Sequence, residues 1–105
     1  MSTTYTLECK SGNFVTDISI TDSLNPLPGS DEWSTSNPRA WGIEGGTVAN
    51  WGADYITVHG GGLQIARISG LNKDTEADGC GSGVKYSDDG LMPSGDFFWK
   101  CLDVK

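Results

Sequence analysis

Six residues in one polar stretch have the types that recognition chemistry needs. "DEWSTSNPRAWGIEGGTVANWG", residues 31–52, holds Trp33, Trp41 and Trp51, three of the four tryptophans in the chain. Between Trp33 and Trp41 lie Ser34, Thr35, Ser36, Asn37 and Arg39, with Asp31 and Glu32 just ahead. An indole face covers the C–H surface of a flat ligand, while amides, carboxylates and a guanidinium bond its hydroxyls. The pattern predicts a ligand-binding loop with Trp33 and Trp41 at least partly exposed. Asn37, Arg39, Asp31 and Glu32 are its hydrogen-bonding groups. A glycan fits this chemistry, so the primary expectation is a non-enzymatic, lectin-like carbohydrate-binding module. Trp and Arg are also the side chains that protein hot spots favour. The alternative is therefore a small secreted effector, toxin or inhibitor that presents the same loop to a protein partner.

His59 opens a third reading, a small hydrolase, because only histidine titrates near neutrality by default. "HGGG", residues 59–62, matches the oxyanion-hole tetrapeptide of lipases and esterases. That motif works beside a G-x-S-x-G nucleophile elbow, and this chain has none. The glycines read better as a hairpin turn, and the chain is expected not to be an enzyme.

Asp74, Glu76 and Asp78 alternate ahead of Gly79, like the start of a calcium loop. The twelfth position of that loop is Lys85, where an EF-hand needs a bidentate glutamate. The segment is read as a solvated acidic turn without a cofactor. Calcium is the one metal these oxygens, with Asp88 and Asp89, would suit. Cys9, Cys80 and Cys101 fit no compact zinc spacing. If a disulfide forms, Cys80 with Cys101 is the expected pair, with Cys9 in the core.

The charge restricts partners. Fourteen acids against seven bases leave a net charge of −7, with no basic cluster. Such a surface repels phosphate backbones and anionic lipid, so nucleic acid is not an expected partner, and a neutral glycan is favoured over an anionic one. No apolar run is long enough for a spanning helix, so no membrane span is expected. "MSTTYTLECK" has no signal-peptide h-region. The chain is thus expected either to be cytoplasmic or to be a mature secreted protein whose start methionine replaces a removed signal peptide.

Alternating apolar and polar residues supply the scaffold. Tyr5, Leu7 and Cys9 alternate with polar neighbours, as do Phe14, Thr16, Ile18 and Ile20, which is the period of a strand. A turn on Ser11-Gly12 would set Cys9 opposite Phe14 and Leu7 opposite Thr16. "DYITVHGGGLQIARI" reads as a second hairpin, with a turn on Gly60-Gly61 and Ile56 and Val58 facing Ile65 and Leu63. Val84–Tyr86 and Phe97–Leu102 read as strands, the latter apolar on both faces and so expected to be covered on both. "GGTVANW" supplies one more strand. Helical periodicity is absent, with at most one turn capped by Ser30. The 105 residues therefore predict a single all-β domain, an antiparallel sandwich or barrel of about six to eight short strands with glycine-rich turns. A long polar, tryptophan-containing loop at about 26–41 would interrupt it.

Overall fold

The computed structural model describes residues 2–12, 14–24, 27, 29–51 and 54–105. Among them, eight strands form a closed antiparallel barrel: β1 (Thr3–Ser11), β2 (Phe14–Asp22), β3 (Glu32–Ser34), β4 (Gly45–Ala49), β5 (Tyr55–Gly60), β6 (Leu63–Ser69), β7 (Cys80–Tyr86) and β8 (Pro93–Val104). Each strand pairs with the next, and β8 returns to β1. One helical turn, α1 (Pro38–Trp41), interrupts the β3–β4 connection. Closure gives every described strand a neighbour on both sides, which limits the edge open to another chain.

The two-residue alternation sends one face of each strand into the lumen. Tyr5, Leu7 and Cys9 meet Ile20, Ile18 and Thr16 there, and Phe97, Trp99 and Cys101 close the wall from β8. Ile56, Val58, Ala66 and Ile68 fill the opposite side, so the lumen is a packed core. Glycines make room where rings lie across a neighbouring strand. Trp99 on β8 lies over Gly81 of β7 and donates its indole N–H to Ser69 O of β6 at 3.0 Å. Trp33 on β3 pairs with Gly46 of β4 and donates to His59 O of β5 at 2.9 Å. Each indole therefore bridges two strands that are not neighbours.

Several expectations of detail change. The first hairpin pairs Ser11 with Phe14 and Cys9 with Thr16, two residues away from the expected register. A shift of two keeps the faces. Its turn begins at Gly12, whose φ is +59°, a value that suits the first position of such a turn. The second hairpin turns on Gly61-Gly62, with φ of +59° and +81°. Gly60 then opposes Leu63 and His59 opposes Gln64. A bulge at Ile65 follows, so Val58 faces Ala66 and Ile56 faces Ile68. The expected partners Leu63 and Ile65 are exposed and half-buried respectively. On β8 only one face is covered, because Phe98 is 70% and Leu102 51% exposed. Of the expected loop at about 26–41, Pro26 and Pro28 lie outside the described residues, and the rest is not one loop: Glu32–Ser34 pairs between β2 and β4, and Pro38–Trp41 forms α1. Ser30 caps no helix, since strand β3 begins at Glu32.

The expected disulfide is also corrected. All three thiols are free. Strands β7 and β8 do pair, but Cys80 opposes Lys100 and is exposed, whereas Cys101 is buried in the core. Adjacent positions on a strand point to opposite faces, and a bridge needs Cβ atoms within about 4.5 Å. Burial, reinforced by the charges of Asp17 and Glu8, pushes the Cys9 thiol from 9.0 up to about 12. Its neutral form therefore contributes stability that is complete below about pH 9 and is lost as pH climbs toward 12. The slope is roughly 1.4 kcal/mol per pH unit. Native protein should show one thiol reacting promptly with a disulfide reagent, at Cys80, while Cys9 and Cys101 wait for unfolding. Stability from pH 9 to 12 should fall less steeply in Cys9→Ala than in wild type. Prompt reaction of a second thiol, or equal alkaline slopes, would contradict this placement.

Candidate functional site at one barrel mouth

An up-and-down barrel gathers alternate connections at each end. One end carries the β1–β2 turn, the β3–β4 connection with α1, the β5–β6 turn and the β7–β8 connection. Pro38 begins the helical turn, and its ring fixes φ for helix entry. Gly42 ends the turn with φ at +81° and donates its N–H to Pro38 O at 2.8 Å. Glycine takes that left-handed conformation without strain. The turn drives Trp41 into the mouth, where only 3% of it stays exposed. Its ring packs edge-on against Phe97, Phe14 and Trp33, with centroids 5.4, 6.4 and 6.5 Å away.

Two clefts flank this plug and share Trp41 and Lys85. The first, about 220 Å³, has a wall of Phe14, Trp41 and Phe97 and a rim of Ser11, Ser94 and Asp96. The second, about 440 Å³, is walled by Ile43, Leu63, Ile65 and Tyr86, with Asp88 at its rim. Lys85 takes the inward register of β7, in line with Gly81 and Gly83 and opposite Ala66. Its ammonium donates to Ala40 O at 2.6 Å, tying α1 to the wall. The indole N–H of Trp41 is buried and has no acceptor among the described residues, and the buried hydroxyl of Thr16 on β2 likewise has no partner there. A buried donor without an acceptor costs about 1–3 kcal/mol.

The stretch expected to bind as a unit does not stay together. Trp33 is 3% exposed and faces the lumen, because β3 is held between β2 and β4. Trp41 is the plug rather than an exposed platform. Asn37 precedes α1 and makes no side-chain cap bond, and Arg39 is exposed on that turn. Glu32 is exposed on β3. Asp31 belongs to the opposite end, where it accepts bonds from Ser23 N at 2.9 Å and Trp51 Nε1 at 2.6 Å. Of the six expected residues, the mouth keeps Trp41, Asn37 and Arg39.

No family model, curated protein or solved structure matches the chain. The geometry alone therefore carries the functional argument.

His59 bonds Thr57 Oγ1 through Nε2 at 3.0 Å, on the outside of the barrel beside a third cleft lined by Thr47 and the glycine turn. Thr57 is only 5% exposed and also accepts a bond from Asn50 Nδ2 at 3.2 Å. Asp74, Glu76 and Asp78 are exposed on the β6–β7 connection, and Asp78 sits 3.7 Å from Lys100. Among the described residues no group of three His, Cys, Asp or Glu could hold a metal ion, and no helix is long and apolar enough to cross a membrane. Phe14, Lys85, Ser94 and Asp96 escaped the sequence reading as mouth residues. The available signal was Lys85 itself, a charge at an inward position of an alternating strand.

Proposed function

We propose that the chain is a non-enzymatic binding module that takes a small hydroxyl-rich ligand, a glycan, at the mouth beside Trp41. The observation that carries this reading is the pair of open clefts at one mouth that share Trp41 and Lys85 as lining residues. The first cleft adds what a sugar needs. Phe14 and Phe97 offer apolar surface for its C–H face, and Asp96, Lys85, Ser11 and Ser94 offer acceptors and donors for its hydroxyls, the usual division of labour in a small-ligand site. A non-catalytic role is supported by His59 bonding the Thr57 hydroxyl, where a catalytic histidine is ordinarily oriented by a carboxylate.

The test is a titration of the full chain with a panel of mono- and disaccharides, followed by amide and indole NMR. A binding sugar should shift the Trp41 indole proton and the amides of Ser94, Asp96 and Phe97 in a saturable way. Asp96→Ala should weaken that sugar about tenfold, the worth of one hydrogen bond to a charged group. A glycan array whose hits leave the mouth unshifted, or a panel with no hit, would sink the reading. A second reading, a protein partner, is favoured by Leu91 and Met92, which are 77% and 67% exposed on the β7–β8 connection. Adjacent exposed apolar side chains suit a protein contact. A pull-down that is lost in a Leu91→Ser, Met92→Ser variant while sugars fail to bind would favour it.

A further inference from the structure

The five lysines divide sharply. Lys10 lies 3.2 Å from Glu8, Lys73 lies 3.3 Å from Asp22, Lys100 lies 3.7 Å from Asp78 and Lys105 lies 3.4 Å from Asp103. Lys85 has no carboxylate within 4.0 Å among the described residues, in a chain with twice as many acids as bases. It is also the lysine whose strand register turns it inward, between the two clefts. An ammonium has three donors, and one is used on Ala40 O. Two remain for whatever enters the mouth. Asp96 and Asp88 stand on the exposed rims, where solvent screens them. Lys85 is half-buried beside Trp41, where a charge acts more strongly.

We infer that Lys85 is the specificity-determining residue of this mouth and that the sugar it takes carries an anionic oxygen substituent, a carboxylate or a sulfate ester. The inference rests on the glycan reading and replaces the neutral ligand that net charge alone suggests. The summed charge governs long-range approach, whereas selection at contact follows the group that faces the ligand. Lys85 would donate to the anionic oxygens, and Trp41 lines the cleft beside it.

The experiment pairs each neutral sugar of the panel with its uronic acid and its sulfate ester, titrated into the full chain at low and at high salt. An anionic member should bind about tenfold tighter than its neutral counterpart, as one charge-assisted hydrogen bond allows. The advantage should shrink at high salt. Lys85→Met should erase the preference, Lys85→Arg should keep it, and Lys100→Gln, at the other end of the barrel beside Asp78, should leave it unchanged. Circular dichroism and melting of each variant check that α1 stays docked without the Ala40 bond. The uronic acid and sulfate arms show which anion is preferred. Neutral sugars that bind as tightly as their anionic counterparts, or a preference that survives Lys85→Met or vanishes in Lys100→Gln, would overturn the inference and leave the glycan reading standing. Silence from every sugar, charged or not, would remove both.

Discussion

Replacing Trp41 with alanine should lower the unfolding free energy by roughly 3–5 kcal/mol, the usual cost of deleting a buried indole. Trp41 is 3% exposed and touches Phe14, Phe97 and Trp33 at once, so its loss leaves a hole that three rings cannot close without leaving their own positions. At about 4–8 °C per kcal/mol for a domain near this size, the melting temperature should drop by more than about 12 °C. Phe98→Ala is the matched control, because that ring is 70% exposed. A change within about 0.5 kcal/mol is expected there. Thermal and denaturant melts of both variants decide the matter. A Trp41→Ala protein as stable as wild type would mean that the ring does not plug the mouth.

Gly46→Ala should be as severe for a different reason. A Cβ at position 46 would overlap the carbonyl oxygen of His59 and come 2.8 Å from its carbonyl carbon. Both atoms are backbone, so no side chain can rotate away. Strands β4 and β5 would have to part, and the His59 oxygen that receives the Trp33 indole would move with them. A cost of about 3 kcal/mol or more is expected, at or above the upper end of overpacking penalties. At Gly95 a Cβ meets nothing within 4 Å, so Gly95→Ala should melt like wild type. Equal stability of the two variants would show that β4 and β5 are farther apart than described.

Strand alternation made most of the barrel legible. Tyr5, Leu7, Cys9, Ile18 and Ile20 are all buried, and they reveal an inner face because apolar residues recur two positions apart along each strand. The second hairpin was ambiguous because "LQIARI" carries two apolar sets of opposite parity. Leu63 and Ile65 belong to one, Ala66 and Ile68 to the other. The bulge at Ile65 lets the second set face inward, and a bulge has no counterpart in the hydrophobic pattern. Strand β3 is three residues and α1 is four, too short for either period to register. Trp33 and Trp41 therefore looked like loop residues. Their polar neighbour Ser34 is indeed exposed, but it decorates the outside of a segment whose indoles point in. The mouth was hidden for another reason. Phe14, Lys85 and Asp96 come from three strands, and only closure of the barrel sets them side by side.

The two indoles that reach across a glycine strand bear on how the barrel opens. Strand β3 contributes three residue pairs to each neighbour, which would make it the natural place for a local breach. Because the Trp33 indole is fastened to β5, β3 cannot peel from β4 without also breaking that longer tie. Trp99 fastens β8 to β6 in the same way around Gly81. Fluctuations that would otherwise stay within a single ladder are thereby merged into larger cooperative units. Backbone amides of β3, β4 and β5 then exchange with solvent through one shared opening, not three separate ones.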